Sequence, residues 1–293
     1  ICIRRGVKLT SMAVDTWGVD FGLLDKRGKL LGLPVSYRDA RTDAVHEYAD
    51  PIVSPEEVFQ ATAGETWAIS SLYQLLSMQR DADPLLDTTD ALLNMPNLFT
   101  YLLTGRKCNE RSIISGSGLM GTDTNWPTDL FRRFNLPDIF GEIIDPGTVV
   151  GPLRSDVGEE TGLGNLPVVA TCGHDTAAVV AAVPAEGENW AFLSCGTWSI
   201  LGSLVENPVT SPRCLELGFC NEYTLGGWYV CNHILGLWLV QELKRKWDTQ
   251  DDPWDYVRMT NEAGTGAAAK FTGLVNVSDD SLMAPADMEE TLL

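Results

Sequence analysis

Basic residues and long apolar runs are both scarce in this sequence. Its 293 residues include 21 Lys and Arg against 40 Asp and Glu, so the formal net charge is −19. Nucleic-acid-binding proteins need a basic surface to displace condensed counterions, and the one basic cluster, residues 244–246, is typical of a solvated helix face. A membrane-spanning helix needs a run of about 18 apolar residues, which the sequence lacks. We therefore expect neither nucleic-acid binding nor a membrane span.

Metal-ligand and disulfide patterns are absent as well. The seven cysteines are odd in number and form no C-x-x-C or C-x-x-x-H pair, so the spacing predicts no metal site. Such cysteines are typical of small, buried, reduced side chains, which favours a cytoplasmic protein. The N-terminal residues show no apolar stretch of the signal-peptide kind. His46 and His233 have no partner at metal-ligand spacing, and we interpret both as structural.

Apolar residues make up 44% of the chain, enough for a sizeable core in one large domain or two smaller ones. Strand patterns are predicted within 8–35 around a turn at 25–28, over 166–173 and 226–232, and in a hairpin over 189–204. Helical patterns cover 38–50, 55–63, 71–80, 90–104, 127–135, 174–183 and 233–247. The Gly- and Ser-rich segment 110–127 predicts a surface loop. This mixed order indicates an α/β fold.

The break in pattern at 184–189 predicts a linker between two domains, residues 1–184 and residues 185–293. The first domain would hold most of the helices, and the second would begin with the hairpin. We found no internal repeat of short fixed period, which argues against a solenoid.

The segment "VVATCGHDTAAVVAAV" (168–183) places His174 and Asp175 between a predicted buried strand and a predicted helix. At the carboxyl end of a strand, Asp175 could accept a proton from a substrate hydroxyl. The same aspartate could instead be an ordinary helix N-cap, and His174 an ordinary loop histidine. The segment by itself leaves both interpretations open.

Three further elements are each weak when taken separately. The hairpin tip at Gly196 and Thr197 could bring backbone N–H groups and one hydroxyl to a phosphate, or could be a plain tight turn. No G-x-x-x-x-G-K-[ST] or G-x-G-x-x-G motif is present. In "VDTWGVDF" (14–21), two aspartates flank Trp17 and Gly18, which could line a sugar site, although Trp17 could also belong to the core.

Asn232 and Gln241 fall at the start and in the middle of the last predicted helix. Nine residues span about 13.5 Å along an α-helix and end half a turn out of phase. The two amides could therefore not bind one small group together, although they could serve two parts of an extended substrate pair. The alternative is that each is a surface or capping amide.

The order of these elements carries more information than any one of them. The segments "DTWGVDFGLLDKRGKLLGLPVSYRDART", "SLYQL", "MPNLFTYLLTG", "GHDTAAVV", "FLSCGTWSILG" and "NHILGLWLVQ" follow one another along almost the whole chain. In this order they resemble the FGGY family of carbohydrate kinases, and within it the branch that phosphorylates L-rhamnulose more than the glycerol or xylulose kinases. The resemblance implies a ribonuclease H-like fold of the actin/hexokinase type. It would comprise an incomplete N-terminal domain and the first part of a C-terminal domain.

The resemblance also implies a role for each candidate residue. Asp175 would be the general base that takes the proton from the sugar hydroxyl as it attacks the γ-phosphate of ATP bound with Mg²⁺. Sugar contacts would come from Gly18, His174, Asp175, Thr176 and Asn232. Contacts with ATP would come from Thr197 and Gln241. The partners would be a small-molecule sugar, L-rhamnulose first, and ATP.

Three departures from the family pattern qualify this expectation. The N-terminal D-x-G-x-[ST] turn, which holds phosphate and Mg²⁺, and the C-terminal glycine-rich segment for adenosine do not occur, so we expect a chain truncated at both ends and impaired as an enzyme by itself. Ser70 and Ser71 stand where an asparagine–threonine pair precedes "LYQL", which puts sugar contacts there in doubt. The alternatives are a sugar-binding remnant without transfer, a kinase for another ketose such as fuculose or xylulose, or an inactive scaffold.

Overall fold

The predicted mixture of strands and helices is confirmed by the computed structural model, which describes residues 5–187, 189–265, 270, 272–277, 279–283 and 285–292. The chain divides into two compact units. Unit 1 consists of Ile1–Trp190 and Ser203–Cys231, and unit 2 consists of Ala191–Gly202 and Asn232–Leu293.

Short strands form small sheets in unit 1. Strand β1 (Phe21–Leu24) pairs antiparallel with β2 (Ala91–Asn94), and β3 (Asn109–Glu110) pairs parallel with β4 (Ile143–Ile144). Strand β5 (Val149–Pro152) pairs antiparallel with β6 (Pro167–Val169). Single parallel bridges join Met12 to Val168 and Thr16 to His174, so the segment 12–16 runs alongside the segment 168–174.

A four-stranded sheet has the order β7-β8-β10-β9. Its strands are β7 (Phe192–Cys195), β8 (Trp198–Val205), β9 (Phe219–Thr224) and β10 (Gly227–Leu235). In unit 2, β7 and β8 form the predicted hairpin, with Phe192 opposite Gly202 and the turn at 196–197. Strands β8 and β10 each run from one unit into the other.

The helices are short, and none in the described part of the chain is both long and apolar enough to cross a membrane. In unit 1 they are α1 (Val45–Ala49), α2 (Pro55–Thr62), α3 (Ser71–Arg80), α4 (Pro84–Thr88), α5 (Met95–Thr104), α6 (Arg111–Ser115), α7 (Thr128–Arg133), α8 (Ser155–Thr161), α9 (Asp175–Ala181) and α10 (Pro212–Glu216). In unit 2 they are α11 (Trp238–Trp247), α12 (Tyr256–Ala263) and α13 (Met288–Leu292). Single 3₁₀ turns occupy Ala40–Thr42 and Asp280–Leu282.

The core of unit 1 surrounds α3. Residues 71–78 of this helix are all buried, and its Leu72, Tyr73 and Leu75 are fully enclosed. A helix buried on every side must satisfy its polar side chains internally. Ser71 and Gln74 of α3 do so through bonds described below, whereas the Tyr73 hydroxyl has no hydrogen-bond partner in the described part of the chain. Unit 2 has its own apolar cluster, in which Leu235 and Leu239 pack with Leu282 and Met288.

Two predicted elements are partly wrong because strand residues precede a helix. The predicted helix over 90–104 begins as β2, which pairs with β1, and α5 starts only at Met95, with Pro96 in its first turn. The predicted helix over 233–247 is strand β10 as far as Leu235, and α11 starts at Trp238. The aromatic and β-branched side chains before Gly236 favour the strand.

The predicted surface loop over 110–127 is also wrong, because its first part is the buried helix α6. Small hydroxyl side chains can be buried when they bond to the backbone. Ser115 Oγ donates to the Ser112 carbonyl at 2.7 Å, and Ser117 Oγ donates to the Ile113 carbonyl at 2.6 Å. Serine-rich composition therefore marks close packing here.

The turn at 25–28 generates a prediction on stability. Gly28 has a φ of +75°, its carbonyl accepts from Tyr101 Oη at 2.8 Å, and a Cβ on Gly28 would collide with that hydroxyl. Gly28→Ala is expected to lower the free energy of unfolding by about 2–4 kcal/mol, from the left-handed backbone and the overpacking together. Urea unfolding measures the loss.

Gly147→Ala is the matched control. Gly147 has a φ of +91°, and no atom of the described residues would lie within 4 Å of its Cβ, so this variant carries only the backbone cost of about 1–2 kcal/mol. Equal losses in the two variants would contradict the packing argument.

Candidate functional site

The G-H-D-T segment lies beside the D-T-W-G segment. The Thr16 N–H donates to the Gly173 carbonyl at 2.9 Å, and the Asp175 N–H donates to the Thr16 carbonyl at 2.9 Å. These two bonds are the parallel bridge between Thr16 and His174. Segments 158 residues apart in sequence thus become neighbours, and Gly18 reaches the histidine.

Asp175 is the first residue of α9, and His174 occupies the N-cap position. The alternative that Asp175 is the N-cap is therefore wrong. Its side chain is 58% exposed, and Oδ1 accepts from the Thr176 N–H at 2.7 Å. The hydrogen bonds with the Thr176 N–H and hydroxyl and the 3.5 Å approach of His174 Nε2 all fall on Oδ1.

His174 is buried at the N-terminus of α9. Its Nδ1 lies 2.8 Å from Glu222 Oε2, and its Nε2 lies 3.5 Å from Asp175 Oδ1. A Cβ on Gly18 would lie 3.4 Å from Nε2, so the residue at position 18 directly borders the imidazole. The structure therefore brings together four predicted site residues, Gly18, His174, Asp175 and Thr176.

Glu110 fixes the residue that precedes the histidine. Its Oε2 accepts from the Gly173 N–H at 2.8 Å and from Ser112 Oγ at 2.6 Å, and its Oε1 accepts from the Ser112 N–H at 2.8 Å. Burial raises the pKa of Glu110, although the bonds from Ser112, Gly173 and Ile113 act to lower it. One carboxylate thus caps α6 and holds the backbone of Gly173, directly before the H-D-T segment.

Gly18 lies next to a strained turn. The Asp20 N–H donates to the Gly18 carbonyl at 2.9 Å, and Val19 between them has a φ of +65°, which together describe a γ-turn. A β-branched residue at positive φ needs surrounding support. The Val19 carbonyl receives that support from Ser71 Oγ at 2.5 Å and Gln74 Nε2 at 3.1 Å.

Polar groups behind this turn form a network. Trp17 Nε1 donates to Asp20 Oδ2 at 2.9 Å, and the Arg41 guanidinium donates to Gln74 Oε1 at 2.5 Å. Burial raises the pKa of Asp20, whereas the Trp17 bond and the Arg41 charge act to lower it. Trp17 itself is 47% exposed, so the alternative that it belongs to the core is wrong, and its ring is available to a ligand.

In unit 2, Thr197 and Gln241 come together as one site. The hairpin is tied to the start of α11, because the Leu237 N–H donates to the Gly196 carbonyl at 2.9 Å and the Trp238 N–H donates to the Thr197 carbonyl at 3.1 Å. Thr197 Oγ1 and the Gln241 amide are 3.5 Å apart. An exposed hydroxyl and an amide offer the donors that phosphate oxygens accept.

Asn232 differs from its prediction. It lies within β10, and the helix that holds Gln241 begins six residues later, at Trp238. The expected separation of about 13.5 Å along one helix is therefore wrong for this pair. The reason is the strand pairing of 227–235, which overrides the helical spacing of its apolar residues.

Sequence reasoning missed Glu110, Glu222 and Tyr229. All three are buried, and a buried polar residue in a run without periodicity has no signal in the sequence. Beside Glu222, Cys220 Sγ and Cys231 Sγ are 3.6 Å apart, and these three side chains place their ligand atoms within 4.8 Å of one another. They are donors of a kind that binds zinc, but burial raises the pKa of Cys231 to about 11, and Glu222 is bonded to His174.

Comparison with known proteins gives consistent results. Residues 6–182 match the N-terminal domain of the FGGY family of carbohydrate kinases. The chain is 37% identical to a protein named Rhamnulokinase from Bacteroides thetaiotaomicron, over 99% of this chain and 59% of that protein. It is 33% identical to one of the same name from Oceanobacillus iheyensis, over 99% of this chain and 61% of that protein. The chain thus spans about 60% of the length of these relatives.

Solved structures resemble the fold. A xylulose kinase from Lactobacillus acidophilus superposes with a TM-score of 0.74 at 14% identity, over 89% of this chain and 55% of that chain. The Plasmodium falciparum glycerol kinase with ADP gives 0.65 at 18% identity, over 84% of this chain and 51% of that chain. The predicted family and the α/β fold of the actin/hexokinase type are confirmed.

Glu110 generates a prediction on pH. Because burial raises its pKa above the ordinary 4.5, the folded state holds this proton more tightly than the unfolded state. Its contribution to stability is therefore complete below about pH 4.5 and is lost as the pH rises through the folded pKa. Glu110→Gln cannot ionise, so the free energy of unfolding of the variant is expected to rise relative to wild type as the pH is raised from about 4 to 7.

Urea unfolding at a series of pH values measures this difference. Glu160→Gln, an exposed glutamate on α8, is the control, and its difference from wild type is expected to stay constant over the same range. A constant or opposite trend for Glu110→Gln would mean that the hydrogen bonds outweigh the burial.

Proposed function

Because the chain belongs to the FGGY family of carbohydrate kinases, we propose that it acts as an ATP-dependent sugar kinase. The reaction transfers the γ-phosphoryl group of ATP to a hydroxyl of a ketose, and L-rhamnulose is the first candidate because of the relatives named Rhamnulokinase. Asp175 is the general base in this proposal. Its sugar-binding residues are Asp175 itself, His174, Thr176, Gly18 and Asn232.

The observation that carries the proposal is the geometry of Asp175. Its carboxylate is exposed, it stands at the first residue of α9, and one of its oxygens is held by the Thr176 N–H. An exposed carboxylate with one oxygen held by the backbone can accept a hydrogen bond, and then the proton, from an alcohol. Phosphoryl transfer needs such a group to orient the attacking hydroxyl, together with donors and a metal ion that neutralise the phosphate charge.

The nucleotide is assigned to unit 2. Thr197 Oγ1 and the Gln241 amide present polar atoms beside each other on an exposed hairpin and the first turn of α11. Mg²⁺ would supply charge neutralisation at the phosphates. Thr197 would donate its hydroxyl hydrogen to a phosphate oxygen, and Gln241 would orient that hydroxyl.

The alternative is a protein that binds the sugar without transferring phosphate. One observation suggests that the sugar contacts differ from those of the family, in which an asparagine–threonine pair stands at positions 70 and 71. Ser71 Oγ is bonded to the Val19 carbonyl, and Ser70 is fully buried, so Ser71 supports the turn and neither side chain is exposed to a ligand. The other alternative is therefore a kinase for a different ketose, such as fuculose or xylulose.

Asp175→Asn tests the base. The variant keeps the shape of the side chain but cannot accept the proton, so kcat for ADP release with L-rhamnulose and Mg-ATP is expected to fall by about 10²–10⁴-fold. The dissociation constant for L-rhamnulose, measured by calorimetry, is expected to rise far less than kcat falls, because the amide can still form a hydrogen bond with the sugar. Asp156→Asn, an exposed aspartate on α8, is the control, and retained transfer in Asp175→Asn would remove Asp175 as the base.

Gly18→Ala tests the sugar site. The added Cβ would lie 3.4 Å from His174 Nε2 and would occupy the space proposed for the sugar, so affinity for L-rhamnulose is expected to fall by about tenfold through lost complementarity. Gly32→Ala is the control, since no atom of the described residues would lie within 4 Å of its Cβ. Parallel titrations with L-fuculose and D-xylulose identify the ketose, and equal affinity of wild type and Gly18→Ala for all three would contradict the assignment.

A further inference from the structure

Glu222 stands behind the proposed sugar site without touching it. It lies on β9, is 2% exposed, and is 48 residues from His174 in sequence. We propose that Glu222 is a positioning residue that holds His174 in a single tautomer, with Nδ1 protonated and Nε2 left as an acceptor for a sugar hydroxyl. This inference deepens the proposed function and rests on it for the identity of the ligand.

The contact with Glu222 determines which nitrogen of His174 carries the proton. His174 Nδ1 lies 2.8 Å from Glu222 Oε2, and an ionised carboxylate can only accept. Nδ1 must therefore carry a hydrogen and donate it. In the neutral imidazole, Nε2 is then unprotonated and accepts, so the carboxylate on one side of the ring determines the chemistry on the other.

Tyr229 holds the Glu222 carboxylate in place. Tyr229 Oη bonds to the same Glu222 oxygen, and this tyrosine is 0% exposed. Burial and the nearby Glu222 charge raise the pKa of Tyr229 well above its ordinary value, so the phenol keeps its proton and donates it. Glu222 Oε2 thus accepts from two directions, which fixes its position before any ligand arrives.

Gly116 packs closely against the hydrogen bond between His174 and Glu222. A Cβ on Gly116, at the C-terminal end of α6, would lie 3.2 Å from both Glu222 Oε2 and His174 Nδ1. This distance is tighter than ordinary packing allows, so only a glycine lets α6 approach the pair so closely. The bond is enclosed by β9 and α6 and is shielded from water, which strengthens its electrostatic component.

The other ring nitrogen of His174, Nε2, lies between Asp175 and Gly18. It lies 3.5 Å from Asp175 Oδ1 and faces the side of Gly18 where a Cβ would be 3.4 Å away. A sugar hydroxyl in that space could donate to Nε2 while a neighbouring hydroxyl approaches Asp175. The opposite tautomer would present an N–H there and would require the sugar oxygen to accept instead.

The experiment reads the tautomer directly. The chain has three histidines, so ¹⁵N NMR of the imidazole nitrogens resolves them, and His174→Gln identifies the His174 signals. In wild type, His174 is expected to show a protonated Nδ1 and an unprotonated Nε2. In Glu222→Gln, whose amide can present either oxygen or NH₂ to Nδ1, the His174 spectrum is expected to shift toward the Nε2-protonated form.

The sugar affinity of the same variant is measured by calorimetry. Loss of a hydrogen bond to a charged group is expected to weaken L-rhamnulose binding by about tenfold or more. Gly116→Ala leaves every charge in place and forces the pair apart, so it should weaken binding similarly even if Glu222→Gln folds poorly. Gly151→Ala, with no atom of the described residues within 4 Å of its Cβ, is its control.

Glu160→Gln, which neutralises an exposed glutamate on α8, is the control for removal of one carboxylate charge, and this variant is expected to keep the wild-type tautomer of His174. An Nε2-protonated His174 in wild type, an unchanged tautomer in Glu222→Gln, or unchanged sugar affinity in both Glu222→Gln and Gly116→Ala would each overturn the proposal. If wild type binds no sugar, the proposed function fails, and the NMR measurement alone decides the role of Glu222.

Discussion

The hydrogen bond from the Gly173 N–H to Glu110 Oε2, at 2.8 Å, is the constraint on which the site depends. The same carboxylate accepts from Ser112 at the start of α6, so the helix and the strand end preceding His174 cannot move independently. The opposite end of α6 is equally constrained, because Ser115 Oγ accepts from the Tyr223 N–H at 2.8 Å. Tyr223 follows Glu222 on β9. A helix of five residues therefore sets the distance between the two buried carboxylates that flank the H-D-T segment.

Burying two carboxylates is costly, and the donors around them show how the cost is met. Moving a carboxylate into the protein interior costs several kcal/mol even after relaxation, whereas a hydrogen bond to a charged group returns about 1.5–3 kcal/mol. Glu110 has four donors, from Ser112 (two), Ile113 and Gly173, three of them from the backbone. The partners of Glu222 include two side chains, His174 and Tyr229. The first arrangement holds the backbone, whereas the second holds a side chain that faces the proposed ligand.

The sequence predicted helices and tight turns well, and it predicted poorly those strands that follow from pairing with another strand. Helix α3 matches its predicted bounds, 71–80, and the hairpin turn at 196–197 is confirmed, because capping residues, spacing and turn residues are local signals. Residues 91–94 and 233–235 were predicted as helix and form strand, since pairing with another strand decides their conformation. The predicted strand over 226–232 is confirmed by β10. The predicted domain boundary at 184/185 stays a prediction, as do the roles of the site residues.

The site was predictable only through the order of its motifs. Asp175 alone was as compatible with a helix cap as with a base, and Gly18 alone was an ordinary glycine. Their approach depends on one parallel bridge between Thr16 and His174, which no local pattern encodes. A family resemblance carries that topology implicitly, because motifs in a fixed order imply the same strand neighbours. It does not name residues such as Glu222, whose role follows from a 2.8 Å contact between segments that share no motif. The buried groups that hold the motif residues in place thus lie outside the motifs themselves.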